Sequence, residues 1–281
     1  MFQVYSIAPV GREWQMRSFN PVIAAVRALD VLQAVNRLKL ASVGDIFRET
    51  GLNRPTVVRM LETLIHAGFV ARHPTQPLYA PTGRTLELSS GYEKHREMGL
   101  VATPVLMRLR QSIRWPSDVA VFDGDAMVVA ETSREAGRLS FNRRPGYRAP
   151  ILGSSLGLSY LAFCSEHDRR HAIAAVSQSS DPWNAIARDA DALARLLAAI
   201  RRDGYATMHE AYSRLAYDGI ASAIGVPVLV GDVAVGSLNM MFLRDTLDGV
   251  QAVARFLDPL RGAAAEVAQG LRHDSPVRTR S

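Results

Sequence analysis

The hydrophobic pattern near the N-terminus predicts three short amphipathic helices. The first has an apolar stripe at helical spacing and begins after Asn20-Pro21, a capping residue followed by proline. The second extends from the capping residue Ser42 to Thr50, and Gly51 supplies the left-handed backbone of a sharp turn. Asn53 caps the third helix. The stripes consist of Val22, Val26, Leu29, Leu32 and Val35 in the first helix and of Val57, Leu61, Leu64 and Ile65 in the third.

Two short β-runs follow the third helix. They cover residues 69–72 and 78–80, and the loop between them contains proline. Helix, glycine turn, helix and wing together are the arrangement of a winged helix-turn-helix, which places its second motif helix in the major groove of DNA. We therefore expect a DNA-binding domain, with Arg72 and His73 at the wing tip reaching a neighbouring phosphate or the minor groove.

β-rich runs and helical stretches alternate in the rest of the chain. Two hairpins are predicted, one over residues 119–131 around Asp123-Gly124 and one over residues 223–242 around Gly231-Asp232, and residues 138–142 are expected to add a strand. Helices are predicted at residues 85–97, 105–113, 156–163, 168–176, 190–202 and 247–271, with Thr103-Pro104 capping the second of them. This pattern predicts an α+β domain in which helices flank an antiparallel sheet.

The length of 281 residues suits two domains. We expect a flexible extension at residues 1–19, a winged helix-turn-helix at 20–83, a linker helix at 84–98, a second domain at 99–272 and a disordered tail at 273–281.

Composition is that of a globular protein, with 48% hydrophobic and 21% charged residues. No stretch approaches the roughly 18 consecutive apolar residues of a membrane span, and the N-terminus lacks the apolar region of a signal peptide. Cys164 is the single cysteine, which excludes an internal disulfide and suits a reducing compartment. We therefore expect a cytoplasmic protein with no membrane attachment.

The positive charge is concentrated in the first quarter of the chain. Residues 17–84 contain nine Lys and Arg against four Asp and Glu, whereas residues 85–281 contain 23 against 22. A basic segment beside a near-neutral remainder is typical of a phosphate-binding module joined to a domain that does not touch nucleic acid. Taken alone, an incidental basic face would explain the charge equally well.

The N-terminal module resembles the IclR family of bacterial regulators. The matching residues are Arg27-Ala-Leu-Asp-Val-Leu32, Thr50-Gly-Leu52, Thr56-Val-Val-Arg-Met-Leu-Glu-Thr-Leu64, Gly68-Phe-Val70 and Tyr79. The resemblance implies base or phosphate contacts from Thr56 and Arg59, with Asn53 and Arg54 beside them. The full set of expected DNA-binding residues is Ser42, Asn53, Arg54, Thr56, Arg59 and Arg72. Two structural alternatives stay open: Thr56 could complete the helix cap, and Arg59 could pair with Glu62.

The C-terminal half is also similar to that family. The similarity lies in Leu152-Gly-Ser-Ser-Leu-Gly157, Arg201-Arg-Asp-Gly-Tyr205 and Gly225-Val-Pro-Val228. Within the family, Trp115-Pro-Ser-Asp-Val119, Asp125-Ala-Met-Val-Val-Ala-Glu-Thr132 and Leu139-Ser-Phe-Asn-Arg143 look most like the activators of hydroxyphenylpropionate degradation. This implies a GAF-like effector-binding domain and a small organic acid, aromatic or similar, as the effector.

The resemblance also implies where the effector binds. The expected effector-binding residues are Ser154, Ser155, Leu156, Ala223, Asn239 and Met241. Ala223 and Met241 replace the family's usual polar residues, which predicts a more apolar pocket than a two- or three-carbon acid needs. Glu210 is a weak candidate for the family's acidic position, because the segment around it is longer than usual.

Physical chemistry supports the serine loop independently. Ser154 and Ser155 with the backbone N–H groups of a helix start could cradle a carboxylate, or they could simply cap the helix. Arg143, Arg144 and Arg148 could help to hold an anion, but an arginine cluster in a loop is more often solvated surface.

Two other functions have weaker support. Gly153–Gly157 matches the hydrolase motif G-x-S-x-G, with Ser155 as nucleophile and His171 or His209 as base, but the parallel strand that must precede this motif is not predicted. A ligand-free protein-interaction module is the third class, because winged helices also bind proteins. No His, Cys or carboxylate spacing predicts a metal site.

We therefore expect a transcriptional regulator and not an enzyme, with no cofactor. Its expected partners are double-stranded operator DNA, an aromatic carboxylic acid, a second copy of itself in a dimer or tetramer, and RNA polymerase if it is an activator.

Overall fold

The computed structural model describes residues 20–133 and 143–273, which form two compact units divided between Tyr92 and Glu93. The extension at residues 1–19, the strand expected at 138–142 and the tail after residue 273 lie outside the described residues.

The N-terminal unit is a winged helix-turn-helix, as predicted. Its elements are α1 (Ile23–Leu38), α2 (Val43–Thr50), α3 (Arg54–His66), β1 (Val70–Arg72), β2 (Tyr79–Pro81) and a 3-10 helix (Gly83–Ser89). β1 and β2 pair antiparallel, with Val70 opposite Pro81. Val35, Ile46 and Leu61 are fully buried at the centre, so the three helices share one hydrophobic core.

The sequence placed the start of α1 wrongly and its buried face only partly correctly, since Leu32 and Val35 of the predicted stripe are buried. The helix begins at Ile23, and Val22 occupies the N-cap without any side-chain hydrogen bond, so Asn20-Pro21 does not cap it. Leu29 is 51% exposed whereas Val31 is fully buried. The stripe that packs on α2 and α3 is therefore Val31, Leu32, Ala34 and Val35. Val22 and Leu29 are apolar, but they lie outside that face.

The C-terminal unit is an α+β domain, as expected. Its elements are α4 (Glu93–Ile113), β3 (Ser117–Asp123), β4 (Ala126–Thr132), β5 (Arg148–Pro150), α5 (Ser155–Phe163), α6 (Glu166–Val176), a 3-10 helix (Pro182–Arg188), α7 (Ala190–Asp203), β6 (Ala206–Thr207), α8 (Glu210–Tyr217), β7 (Ala221–Val230), β8 (Val233–Leu243) and α9 (Gly249–His273). The strands form one antiparallel sheet in the order β5-β4-β3-β8-β7-β6.

Helices cover both faces of this sheet. A Cβ placed on Gly236 of β8 would lie 2.8 Å from the side chain of Met98 in α4, so this face carries α4, against which α9 packs. A Cβ placed on Gly225 of β7 would lie 3.1 Å from Cβ of Ser155, so the opposite face carries α5. Gly225 is opposite Asn239, three residues from Gly236, which agrees with the alternation of faces along a strand.

One predicted helix boundary in this unit is wrong. The chain does not form a helix over residues 85–97 and a new one after Thr103-Pro104. It forms the 3-10 helix Gly83–Ser89, and then α4 runs unbroken through Pro104. Pro104 lies on the exposed side of α4, where water can satisfy the carbonyl group that proline leaves unpaired. The Thr103 hydroxyl donates back to Gly99 O (2.8 Å) and caps nothing. No helix in the described part of the chain has the length and apolar character needed to cross a membrane.

Candidate DNA interface and effector site

Ser42 fixes the start of α2 through a capping box. Its Oγ accepts a hydrogen bond from Asp45 N (3.2 Å), and its backbone N–H donates to Asp45 Oδ2 (2.9 Å). The Ser42 hydroxyl also donates to the same carboxylate (2.6 Å). These bonds lower the pKa of Asp45. Gly51 ends the helix with φ of 69°, so the turn that orients α3 has the left-handed geometry that the sequence predicted.

The first turn of α3 presents polar groups to solvent. Asn53 Oδ1 accepts from Thr56 N (2.9 Å), so Thr56 contributes only its backbone N–H to the cap. Arg54 and Arg59 are exposed, and neither takes part in an ion pair within the described residues. A guanidinium that no carboxylate holds is available to a phosphate or to a guanine edge without first breaking a contact.

The alternative pairing of Arg59 with Glu62 is not formed. Glu62 is ion-paired with Arg72 of β1, which also lies over the Tyr79 ring, 5.9 Å from its centroid. The ion pair connects the wing to α3. It also engages the guanidinium of Arg72, which was expected to contact a phosphate. No sequence pattern indicated this ion pair, because Glu62 and Arg72 are ten residues apart and meet only when the wing folds back on α3.

The predicted effector residues come together on the α5 side of the sheet. Leu156, Ala223 and Met241 are fully buried in one hydrophobic cluster, and Ala223 is opposite Met241 across β7 and β8. Asn239, two residues along β8, is also fully buried, and its side-chain oxygen accepts from Asp118 N (3.0 Å). Its Nδ2 has no hydrogen-bond partner among the described residues. The lining is therefore mostly apolar, with a donor left free.

The two serines of the loop have different surroundings. Ser154 is the N-cap of α5: its hydroxyl accepts from Gly157 N (3.0 Å) and donates to Pro150 O (2.8 Å). The capping interpretation therefore accounts for both of its hydrogen bonds. Ser155 Oγ is fully buried and has no partner in the part of the chain described. An unsatisfied buried hydroxyl costs free energy, so Ser155 is the serine that a ligand would complete.

Arg143 is buried, contrary to the expectation of a solvated loop. Its side chain has no exposed surface and lies among three tyrosines and Asp118. Nε donates to Tyr217 Oη at 2.8 Å, while the contacts to Asp118 Oδ2 and to Tyr212 Oη are 3.5 Å long. Burial opposes the charge, but Tyr217, Tyr212, Tyr147 and then Asp118 outweigh it, so the pKa of Arg143 is raised well above its usual value. The guanidinium is therefore charged.

Trp183 packs in the same region, and no sequence pattern indicated it. The Trp183 ring meets Tyr212 edge-to-face, with centroids 5.2 Å apart, and lies 3.0 Å from the position of a Cβ on Gly153. Trp183 Nε1 and Asn184 Oδ1 are buried without a partner among the described residues. Three of the buried polar atoms that have no partner among the described residues, one each on Ser155, Trp183 and Asn239, belong to residues on this side of the sheet.

Other candidates lie outside this group. Arg148 is ion-paired with Asp123 and Asp125 near the surface. Glu210 is exposed and holds Arg214 (3.1 Å) and Arg244 (2.6 Å).

Comparison with known proteins decides the family. The family model described as the IclR helix-turn-helix domain matches residues 24–74, and that described as the bacterial transcriptional regulator IclR C-terminal domain matches residues 91–269. The chain belongs to the IclR family of bacterial transcriptional regulators. It is thus an IclR-type regulator with an effector-binding C-terminal domain.

Individual IclR relatives are distant in sequence. The regulator TsaQ1/TsaQ2 of Comamonas testosteroni is 26% identical over 58% of this chain, and the match spans 59% of that protein's length. KdgR of Escherichia coli is 22% identical over 92% of this chain and 96% of that protein. An IclR homologue from Microbacterium hydrocarbonoxydans, solved in complex with 4-hydroxybenzoate, is 24% identical with a TM-score of 0.64, covering 89% of this chain and 99% of that one. At 24% sequence identity, this structural similarity shows only that the two proteins share a fold.

IclR regulators are not enzymes, and the serine motif agrees with that class. The strand before Ser155 is the three-residue β5, which pairs antiparallel with β4 at the edge of the sheet. A hydrolase elbow needs a parallel strand there. His209 Nδ1 accepts from Ala211 N (3.1 Å) as the cap of α8, and His171 packs edge-on against Phe122. Among the described residues neither histidine is bonded to Ser155.

The remaining histidines of the described residues and Cys164 were also considered as metal ligands. No three His, Cys, Asp or Glu side chains are grouped to hold a metal ion in the ranges that the structure covers. Cys164 is a buried apolar residue, as expected, and burial raises the pKa of its thiol to about 11.

Proposed function

We propose that this cytoplasmic IclR regulator binds an inverted-repeat operator as a dimer or tetramer and that an aromatic carboxylic acid in its C-terminal domain controls the binding. The observation that carries the proposal is the division of chemistry between the two units. Among the described residues, one unit presents arginines without ion-pair partners on the exposed face of α3, and the other buries polar atoms without partners against apolar and aromatic side chains.

The DNA contact is assigned to α3 and the residues around it. Arg54, Thr56 and Arg59 read or grip the DNA from α3, and Asn53 lies beside them at the N-cap. Arg72 approaches a phosphate from the wing by exchanging its ion pair with Glu62 for the phosphate, and Ser42 acts through the capping box that orients the motif. One helix-turn-helix reads only a half-site, so two copies are needed for an operator of useful affinity.

The effector is assigned to the α5 face of the sheet. Ser155, Leu156, Ala223, Asn239 and Met241 line its site, and Ser154 holds the loop in place. Apolar walls with a few free polar atoms suit an aromatic ring that bears polar substituents. The relative solved with 4-hydroxybenzoate supports this class of ligand.

Regulation requires that the effector bind one arrangement of the DNA-binding domains more tightly than another. The resulting population shift then changes operator affinity by the ratio of the two effector affinities. Where this increases transcription, RNA polymerase is a further partner.

The experiment is a fluorescence-anisotropy titration of the full-length protein on labelled duplexes from the DNA flanking its coding region. A scrambled duplex of equal length, at the same salt concentration, is the control. We expect tight binding to at least one natural duplex and weaker, strongly salt-dependent binding to the scrambled one. Equal affinity for both at every salt concentration would contradict sequence-specific regulation.

A further inference from the structure

We propose that Arg143 is the carboxylate receptor of the effector site, acting with the hydroxyls of Tyr147 and Tyr212 on an aryl carboxylic acid. This rests on the proposed function, in which the C-terminal domain binds an aromatic acid. Arg143 is the only lysine or arginine buried in the described residues. A buried guanidinium is costly unless its donors are used, so its placement calls for an explanation beyond packing.

The described residues use little of the hydrogen-bonding capacity of Arg143. A guanidinium carries five N–H donors. Of the contacts to described residues only that from Nε to Tyr217 is short, at 2.8 Å, while those to Asp118 and Tyr212 are both 3.5 Å. Charge-assisted N–H···O bonds are normally about 2.7–2.9 Å long. Asp118 is further engaged by the Thr132 hydroxyl at 2.8 Å. The two terminal nitrogens therefore lack a close bidentate acceptor, which a ligand carboxylate would provide.

The surrounding phenols suit an anion as well. The hydroxyls of Tyr147 and Tyr212 lie 2.7 Å apart, and Tyr147 and Tyr217 both flank the guanidinium, with ring centroids 5.2 and 5.7 Å from Cζ. Burial raises the pKa of Tyr147 and of Tyr212, so both stay protonated at neutral pH. In their mutual hydrogen bond one hydroxyl donates to the other, so one O–H of the pair is left to donate to a carboxylate. The cluster therefore offers donors of two kinds, a guanidinium and a phenol.

Tyr212 connects this cluster to the predicted site. Its ring lies edge-to-face with Trp183, which in turn packs over Gly153 beside the serine loop. Asn239 lies beside the cluster as well, because it is opposite Asp118 on β3 and accepts a hydrogen bond from Asp118 N. Asn239 is also opposite Gly225 on β7, and Gly225 lies against Ser155, so Ser155 and Asn239 are neighbours. Their free hydroxyl and amide groups would meet a second polar substituent. The ligand class that fits is an aryl acid with its carboxylate at Arg143 and a second polar substituent that meets Ser155 or Asn239.

The test is isothermal titration calorimetry of the full-length protein with 4-hydroxybenzoate and 3-(4-hydroxyphenyl)propionate, each paired with its carboxamide. We expect at least one acid to bind about ten-fold or more tightly than its amide, since the amide cannot satisfy the charged donors. The Tyr147→Phe variant should bind the acid several-fold more weakly than the wild type does, whereas its affinity for the amide should change little. Tyr160→Phe is the matched control, because its hydroxyl bonds Asp168, in α6.

Removing Arg143 alone would leave Asp118 buried without this partner, so Arg143→Met is paired with Asp118→Asn in one double variant. If this variant keeps a cooperative unfolding transition, it should bind acid and amide equally. Equal affinity of both acids and their amides for the wild type, or unchanged acid affinity in Tyr147→Phe and in a folded double variant, would overturn the assignment of Arg143. Absence of any aryl ligand would overturn the aromatic effector itself, and the Arg143 proposal with it.

Discussion

The contact between β7 and α5 gives a quantitative prediction for Gly225→Ala. The added Cβ would lie 2.5 Å from Ser155 O and 2.7 Å from Ser155 C. Both atoms are backbone, so no side chain can rotate away. β7 is held between β6 and β8, and α5 is fixed by the Ser154 cap. Adding a methyl group to a packed core costs about 1–3 kcal/mol, and we expect a value at or above about 3 kcal/mol here.

The assay is differential scanning calorimetry of the full-length protein. For a domain of this size, a loss of about 3 kcal/mol lowers the Tm by roughly 6–12 °C. Gly262→Ala is the control: it is an exposed glycine in α9 with nothing within 4 Å of the new Cβ, so it should stabilise by up to about 1 kcal/mol. The displaced Ser155 should also weaken binding of any aryl acid. A Gly225→Ala protein with wild-type Tm and wild-type ligand affinity would refute the close packing on which the site is built.

Three further predictions concern the DNA-binding domain. Arg59→Ala should cost about 1–3 kcal/mol on the specific duplex alone if it reads a base, or weaken all duplexes alike if it holds a phosphate, whereas Arg195→Ala in α7 should change neither affinity in the same anisotropy titration. Glu62→Gln should raise the affinity for every duplex several-fold at low salt, because it frees Arg72 and removes a negative charge from the DNA-facing side. Glu87→Gln, in the 3-10 helix, is the charge-matched control. An equal gain in affinity for Glu87→Gln would contradict this reasoning. Chemical denaturation should show that Ser42→Ala destabilises the domain by about 1 kcal/mol, whereas Ser42→Thr keeps the cap. Because folding lowers the pKa of Asp45, the stabilisation by its carboxylate is present above the unfolded-state pKa and is lost as pH falls through the folded-state pKa. A Ser42→Ala effect that is unchanged at low pH would argue against the capping box.

The winged helix could be predicted because its signals are local. Ser42, Gly51 and Asn53 perform in the structure the capping and turning roles that their chemistry suggested. The start of α1 and the break at Pro104 were wrong for the opposite reason. In both cases tertiary packing outweighs the local capping signals. Val31 of α1 is buried in the core, and α4 continues through Pro104 while it packs on the sheet.

The effector site was only partly accessible from the sequence. Resemblance indicated Ser155, Asn239 and the apolar positions, and all lie on one side of the sheet. Arg143 was considered only as one of three arginines that could hold an anion, and its burial was not foreseen, because that burial depends on Tyr212 and Tyr217, which are 69 and 74 residues further along the chain. In the sequence it is one of three arginines in a polar loop, and nothing local distinguishes it from Arg148.

The central claim is that one protein couples operator binding to an aryl acid, and linkage provides its most direct test. Operator affinity is measured by anisotropy with and without saturating 4-hydroxybenzoate or 3-(4-hydroxyphenyl)propionate, and acid affinity is measured calorimetrically with and without operator. The account predicts that, for one of these acids, both affinities change by the same factor, about 5- to 150-fold for typical coupling. Operator affinity that is unchanged by every acid that binds the protein would contradict it.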